Sequence, residues 1–135
     1  MRDINEITQI VIGAAYKVHS TLGAGFLEKI YEKSLMIELK KIGLKAEAQY
    51  PISVYYEDEL VGDYFADILV EDCLIIELKA VENLTVAHEK QVVNYLAATS
   101  IDNGLLINFG SSCQVKRKFR VYKNTNKQDL HNFQD

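Results

Sequence analysis

The sequence predicts an α/β domain in which helices flank a central mixed sheet. Apolar residues recur at helical spacing in the first third of the chain, and short apolar runs bounded by turn residues follow. A further amphipathic segment then separates two of these runs, as a helix connecting two strands would. We assign residues 1–125 to one domain, since 135 residues suffice for a core, and expect residues 126–135 to form a flexible polar tail.

Two helices are predicted first. The segment 3–20 carries apolar residues at helical spacing, namely Ile4, Ile7, Val11, Ala14, Ala15 and Val18. Two glycines in the segment 21–25 interrupt that pattern. A second helix is expected at about 25–42, and Gly43 stands where a glycine commonly caps a helix.

Three strands should follow as an antiparallel meander. Residues 46–57, 60–70 and 73–79 are rich in β-branched and aromatic residues, and short acidic turns separate them. These strands contain the residues that we consider for chemistry below.

The rest of the chain predicts a β-α-β crossover. A helix is expected at about 85–99, followed by a strand at 105–109 and a last strand at 114–123. The strand 105–109 is almost wholly apolar, which predicts a central position covered on both faces. The predicted order is therefore ααβββαββ.

Composition excludes several classes of protein. Hydrophobic residues make up 48% and charged residues 25% of the chain, which is globular rather than disordered composition. No apolar run approaches the roughly 18 residues of a membrane span, and acids near the N-terminus do not fit a signal peptide. Cys73 and Cys113 fit neither a disulfide framework nor a zinc site. We expect a cytoplasmic protein with reduced thiols and no membrane association.

Charge is distributed unevenly along the chain. The net charge is −4, yet residues 115–135 alone carry +4. Four cations in this segment form a candidate nucleic-acid-binding strip, namely Lys116, Arg117, Lys118 and Arg120. The alternative is an edge strand that carries lysines against aggregation.

The segment from Asp67 to Lys79 is the most informative part of the sequence. Because side chains alternate along a strand, Glu77 and Lys79 should project from one face, although their neighbours are apolar. Asp67 shares a predicted face with Phe65 and Leu69. Burying such charges costs several kcal/mol each unless they are paired or bind a metal. Either a buried ion pair or a metal site is therefore expected.

If these residues form a metal site, the reaction that it would suit is the hydrolysis of phosphodiester bonds. That reaction uses divalent cations, and Mg²⁺ prefers carboxylate and carbonyl oxygens. Asp67, Glu77 and the Leu78 backbone carbonyl can supply these ligands if the strands are neighbours. Lys79 would orient the attacking water or neutralise charge on the phosphoryl group. An acid on one strand and Glu-x-Lys on the next resembles the layout of the PD-(D/E)xK nucleases.

The helices offer further candidates. Glu28 and Tyr31 share a helical stripe with Gly25, so Glu28 could be a metal ligand and Tyr31 could donate a hydrogen bond to a carboxylate. The alternative is a surface glutamate beside a half-buried tyrosine. Gln91 and Tyr95 lie one turn apart in the later helix and are candidates for holding Lys79 or positioning substrate.

These motifs resemble a known family. The pattern Gly25-x-x-Glu28-x-x-Tyr31 is similar to the signature of the GxxExxY family of small prokaryotic proteins, which is grouped with the PD-(D/E)xK nucleases. The order of the motifs resembles the RecB-type branch, with the helical glutamate followed by the strand residues and then by the pair in the later helix. The resemblance implies a restriction-endonuclease-like α/β sandwich and a catalytic set comprising Glu28, Asp67, Glu77 and Lys79.

The implied function is a Mg²⁺-dependent nuclease in DNA repair, recombination or defence. Mn²⁺ can substitute for Mg²⁺ in such sites, and DNA is favoured over RNA as substrate. Two alternatives stay open, a non-catalytic nucleic-acid-binding module and a subunit that acts only with a partner. A homodimer or another protein partner is also compatible with the sequence.

Overall fold

The computed structural model describes residues 2–122 and confirms the predicted order of elements. The helices and strands are α1 (Ile4–Leu22), α2 (Glu28–Ile42), β1 (Ala46–Tyr56), β2 (Glu59–Val70), β3 (Leu74–Lys79), α3 (Val86–Thr99), β4 (Asn103–Phe109) and β5 (Cys113–Phe119). The predicted tail, residues 126–135, lies outside the described part of the chain. Within that part, no helix is long and apolar enough to cross a membrane.

The five strands form one mixed sheet in the order β1-β2-β3-β4-β5. β3 and β4 are parallel and are connected through α3, whereas the other neighbouring strands are antiparallel. This arrangement confirms the predicted meander followed by a β-α-β crossover. The last strand ends at Phe119, earlier than predicted, although the Arg120 amide still donates to the carbonyl of Asp102, the residue opposite it in this register.

Residues with a left-handed backbone conformation form the turns of the two hairpins in the meander. Glu57 and Asp58 have φ of 48° and 68°, and Glu71 and Asp72 have φ of 49° and 56°. Two consecutive residues with positive φ are typical of the type I′ turn, whose twist matches that of the flanking strands. These turns fix the register that brings Asp67 opposite the end of β3.

Both faces of the sheet are covered. α1 and α2 pack on one face, where their residues meet Ile68, Ile76 and Leu105. α3 packs on the other face, where its core residues Val92, Tyr95 and Leu96 meet Ala66, Leu69, Ile75 and Leu106. β4 contributes to both clusters, which confirms its central position. The two layers of helices and the sheet between them form the predicted α/β sandwich.

One predicted face of β2 is wrong. Phe65 was expected beside Asp67 and Leu69, yet Phe65 is 55% exposed, whereas Ala66 and Leu69 both pack in the α3 cluster. Strict alternation would place those two residues on opposite faces. β2 pairs with β3 only over Ile68–Val70, so its outer part is held by β1 alone and is free to turn. Opposite Asp67, Gln49 of β1 has φ of 55°, which marks the same irregularity.

Gly104 tests how tightly α3 packs on the sheet. A Cβ at Gly104 would lie 2.8 Å from Val92 Cγ1, and Val92 cannot yield because its χ1 is restricted in a helix. We expect Gly104→Ala to lower the free energy of unfolding by about 1–3 kcal/mol, measured by urea denaturation.

Gly13→Ala in α1 is the matched control, since nothing lies within 4 Å of its Cβ position. This variant should be more stable than the parent by about 0.5–1 kcal/mol. Equal stabilities of the two variants would contradict the packing described here.

Candidate active site

The site forms where β2 separates from β3. The regular ladder between them ends at the pair Ile68 and Ile76. Beyond it, the Asp67 amide donates to Glu77 Oε1 at 3.0 Å, and the Leu78 amide donates to Asp67 Oδ2 at 2.7 Å. Two carboxylates thus take the place of the backbone carbonyls that would otherwise continue the sheet. Asp67 and Glu77 are thereby brought together, as the sequence predicted.

Glu77 is an acid in an apolar environment. Its residue is only 4% exposed, and it lies in β3 among fully buried apolar residues. Burial, and after it the charge of Asp67, raises the pKa of Glu77 to about 8, although the Asp67 amide and the charge of Lys79 act in the opposite direction. At neutral pH this carboxyl group therefore takes up a proton or needs a nearby cation.

The pKa of Asp67 is raised as well. Burial raises the pKa of Asp67, while the hydrogen bond from the Leu78 amide lowers it. The negative charges of Glu32 and Glu28 raise it again. Acids from β2, β3 and α2 therefore lie close enough to repel one another, which is the electrostatic condition that a bound cation relieves.

Lys79 ends β3 two residues after Glu77 and is partly exposed. Because it is two residues from Glu77 in the same strand, it projects from the same face of β3, and its positive charge lowers the pKa of Glu77. Among residues 2–122, no carboxylate lies within ion-pair distance of the Lys79 ammonium. Lys79 is therefore available to a group that enters from solvent.

The N-terminal part of α2 contributes two acids rather than one. Glu28 begins the helix and is exposed, and its charge reaches both Asp67 and Glu77. Glu32, one turn later, is only 6% exposed and pairs with Lys29 at 3.0 Å. Sequence reasoning missed Glu32, although its i, i+4 spacing from Glu28 was a signal, because like charges at that spacing repel unless something holds them.

Gln49 connects the two acidic elements. Its Nε2 donates to Glu32 Oε1 at 2.6 Å and lies 3.5 Å from Asp67 Oδ1. The left-handed backbone of Gln49 lies opposite Asp67 in the hairpin and accompanies this bridge. No pattern in the sequence marked Gln49, because its role depends on the irregularity in β1.

Within residues 2–122, the Tyr31 hydroxyl forms no hydrogen bond with a carboxylate, contrary to the expectation from the sequence. The ring is fully buried and stacks on Phe109 with 4.4 Å between centroids. Its hydroxyl donates to the Gly23 carbonyl at 2.6 Å and accepts from the Phe26 amide at 3.2 Å. Tyr31 thus fixes the loop before α2 and so the position of Glu28. Gly25 lies in that loop, before the helix, and has φ of 106°, which favours glycine.

Gln91 and Tyr95 form a pair on α3, with Gln91 Nε2 donating to the Tyr95 hydroxyl at 3.1 Å. Burial raises the pKa of Tyr95, and the charges of Glu77 and Asp67 raise it further. This pair therefore lies beside the carboxylates. The neighbouring His88 instead forms a capping box with Thr85 at the start of α3.

The basic strip is divided between two faces of β5. Lys118 pairs with Glu89 of α3 at 3.0 Å, and the charge of Lys116 also reaches Glu89. Arg117 bonds instead to Asn103 of β4, at 3.2 Å. Arg120 lies beyond β5, where its guanidinium is 3.7 Å from Asp102 and stacks on the Tyr122 ring. The four cations thus do not form one continuous surface, and Lys116 is the most exposed member of β5 among them.

The donor atoms at the site suit a hard divalent cation. Asp67 and Glu77 offer carboxylate oxygens, and the Leu78 carbonyl points to the same edge of β3 as the Leu78 amide that contacts Asp67. Within residues 2–122, no three acidic, histidine or cysteine side chains converge closely enough to hold a metal without adjustment. To bind a cation, Glu77 would have to give up its hydrogen bond from the Asp67 amide, and Asp67 would have to give up its hydrogen bond from the Leu78 amide.

Two solved structures are similar to this chain. The crystal structure of SSO0001 superposes with a TM-score of 0.56 at 17% identity, over 88% of this chain and 60% of that one. The chain thus spans 60% of the length of SSO0001, and the likeness shows a shared fold. An alkaline exonuclease (LHK-Exo) from Laribacter hongkongensis gives a TM-score of 0.48 at 10% identity, over 95% of this chain and 84% of that one. No curated protein matches the sequence.

The sequence as a whole matches a family model. The match spans residues 5–121 and describes the PD-(D/E)XK nuclease superfamily, whose members generally use divalent metals to act on nucleic acids. It covers α1 to the end of β5, including the separated strands that carry Asp67 and Glu77. The chain therefore belongs to the PD-(D/E)XK nuclease superfamily.

Proposed function

We propose that the protein is a Mg²⁺-dependent nuclease that hydrolyses phosphodiester bonds in DNA and belongs to the GxxExxY type. The observation that carries this proposal is the pairing of Asp67 and Glu77 at the separation of β2 and β3, with Lys79 beside them. Mn²⁺ is expected to substitute for Mg²⁺. A role in DNA repair, recombination or defence is compatible with this activity, as is a cytoplasmic location, since both cysteines are free.

Asp67, Glu77 and the Leu78 carbonyl would hold the cation. A bound divalent cation polarises the phosphate, activates water and stabilises the leaving oxygen. The raised pKa values of both acids show that their charges are poorly compensated by the protein alone. Because these carboxylates are shielded from solvent, each attracts a cation more strongly than the same carboxylate would in bulk water. Glu28, exposed at the start of α2, would add a further oxygen ligand or orient water, and its charge reaches Glu77.

Lys79 would act on the reacting groups directly. During hydrolysis the oxygen of a water molecule bonds to phosphorus and releases a proton to solvent, one phosphorus–oxygen ester bond breaks, and the leaving oxygen takes up a proton from solvent. The Lys79 ammonium, partly exposed beside Glu77, can orient that water and compensate charge on the non-bridging oxygens. Tyr95 and Gln91, which lie beside the carboxylates, would position the substrate.

One observation favours a second candidate, a binding module or partner-dependent subunit. Both strand acids already accept hydrogen bonds from backbone amides, and within residues 2–122 no ready cluster of three metal-binding side chains exists. A partner protein or substrate that rearranges Glu28 would then complete the site. We favour the nuclease, because a purely structural sheet would be more stable without a buried pair of acids.

Substitutions at Glu77 and Lys79 test the activity. We expect parent protein to cleave at least one of labelled single-stranded, duplex or branched DNA or RNA with Mg²⁺ or Mn²⁺, and not with EDTA. Glu77→Gln and Lys79→Ala should each lower that rate about 10²–10⁴-fold, because they remove groups that act in the transition state.

Glu59→Gln and Lys40→Ala are the matched controls, since both residues are exposed and lie outside the site. They should cleave like the parent. If the parent cleaves none of the substrates, the second candidate gains support. Equal cleavage by the parent, the site variants and the controls would indicate a contaminating nuclease.

The buried Glu77 also makes stability depend on pH. Its folded pKa of about 8 lies above the ordinary glutamate pKa of 4.5, so between these pH values the folded state binds more protons than the unfolded state. Stability should therefore fall as the pH rises from about 4.5 through about 8. We expect Glu77→Gln to exceed the parent by several kcal/mol at pH 9 without metal, a difference that vanishes near pH 4.5.

Urea denaturation of both proteins across this pH range measures the effect. Glu59→Gln should differ from the parent by an amount that does not change with pH, because Glu59 is exposed. A Glu77→Gln variant that is less stable than the parent at pH 9 would show that the carboxyl group is not destabilising when ionised.

A further inference from the structure

A groove runs between α3 and the outer part of the β1–β2 hairpin. Its volume is about 750 Å³, within the ~300–1,000 Å³ range of sites that hold drug-sized molecules. Tyr55 and Tyr64 line it from the hairpin, and Gln91 and Tyr95 line it from α3. The groove lies beyond Ile52, the last buried residue of β1, in the part of the hairpin where β2 no longer pairs with β3. It is large enough for nucleotide-sized groups.

One end of the groove adjoins the acids. Tyr95, which lines the groove, packs in one cluster with Ala66, the residue before Asp67, and with Ile75 of β3, two residues before Glu77. The same tyrosine packs against Tyr64, with 5.9 Å between ring centroids and 43° between ring planes. A chain lying in the groove would therefore lead to the carboxylates.

The tyrosines of the hairpin present their rings to solvent. Tyr55 is 63% and Tyr64 is 49% exposed, although large aromatic side chains are usually more buried. Gly62 makes room for the second ring, because a Cβ there would lie 3.0 Å from Tyr64 Cε2. A glycine within a strand weakens it and marks a close approach. The hairpin is thus built to hold the Tyr64 ring against its own backbone.

The charges of the groove are compatible with a nucleic acid. Its described lining includes Lys90 and the amide side chains of Gln91 and Asn94, and no carboxylate. The acidic tip of the hairpin, Glu57–Glu59, lies outside this lining. Amides and a lysine can contact phosphates and sugars while aromatic rings face the bases.

We propose that this groove binds a single-stranded segment of nucleic acid, whose bases stack on Tyr55 and Tyr64 and whose backbone leads to Asp67 and Glu77. Bases within a duplex are already stacked on one another, whereas those of a single strand are free to stack on aromatic side chains. This inference deepens the proposed nuclease function by naming its substrate as single-stranded or frayed at an end.

Binding measured without cleavage tests the groove. The full chain carrying Glu77→Gln is titrated into fluorescently labelled oligo(dT) and into a duplex of equal length, with anisotropy as the readout. Adding Tyr55→Ala and Tyr64→Ala should weaken oligo(dT) binding at least about tenfold, with less than about a twofold change for the duplex. Tyr55→Phe with Tyr64→Phe should bind oligo(dT) like the parent, because the rings remain.

Tyr56→Ala is the matched control, since Tyr56 is 67% exposed on the same hairpin but does not line the groove. It should leave oligo(dT) binding unchanged. Unchanged oligo(dT) affinity in the double alanine variant would overturn the inference and would favour a protein as the ligand of the groove. An equal loss of affinity for oligo(dT) and for the duplex would also overturn it.

The result can be separated from that of the cleavage test. If the parent cleaves in the presence of metal but oligo(dT) binding does not depend on Tyr55 and Tyr64, the proposed nuclease function stands and the proposed binding groove is rejected. Tyrosine-dependent binding without cleavage would uphold the groove in a non-catalytic module.

Discussion

The exchange of two backbone hydrogen bonds for two side-chain hydrogen bonds at the end of the β2–β3 ladder determines much of this structure. Asp67 accepts from the Leu78 amide, and Glu77 accepts from the Asp67 amide, so neither amide is left without a partner where the strands separate. Because the ladder ends there, the outer hairpin is free to turn away and form a groove against α3. The same exchange draws two acids into the edge of an apolar core.

That exchange stabilises the backbone at an electrostatic cost. Glu77 is nearly inaccessible and has a pKa of about 8, raised by burial and by the charge of Asp67. Gln49, Lys29 and Lys79 compensate the surrounding acids only in part. Natural proteins retain such strained electrostatics chiefly where function requires it. The arrangement is understandable if a cation and a phosphate complete it, and the superfamily to which the chain belongs uses both.

Much of this could be predicted from the sequence, because its signals were local. Hydrophobic periodicity predicted every element, and Glu77 and Lys79 were identified since charged residues within the strand 73–79 are costly. Glu32, Gln49 and the outward turn of Phe65 were missed, because they depend on how β2 leaves β3 and on a left-handed residue in β1. Tyr31 was assigned a carboxylate partner from helical spacing, but the loop before α2 supplies its hydrogen bonds instead. Long-range contacts of this kind leave no periodic signal in a single sequence.

The central claim is that Asp67 and Glu77 together hold a divalent cation, and calorimetric titration of the full chain with Mn²⁺ tests it most directly. We predict saturable binding by the parent and a loss of at least about tenfold in affinity for both Asp67→Asn and Glu77→Gln, with Glu59→Gln unchanged. Asn and Gln retain the shape of each side chain and an oxygen that can accept the amide hydrogen bond, so the fold should persist. Mn²⁺ binding of equal affinity in the parent and in both site variants would contradict the account.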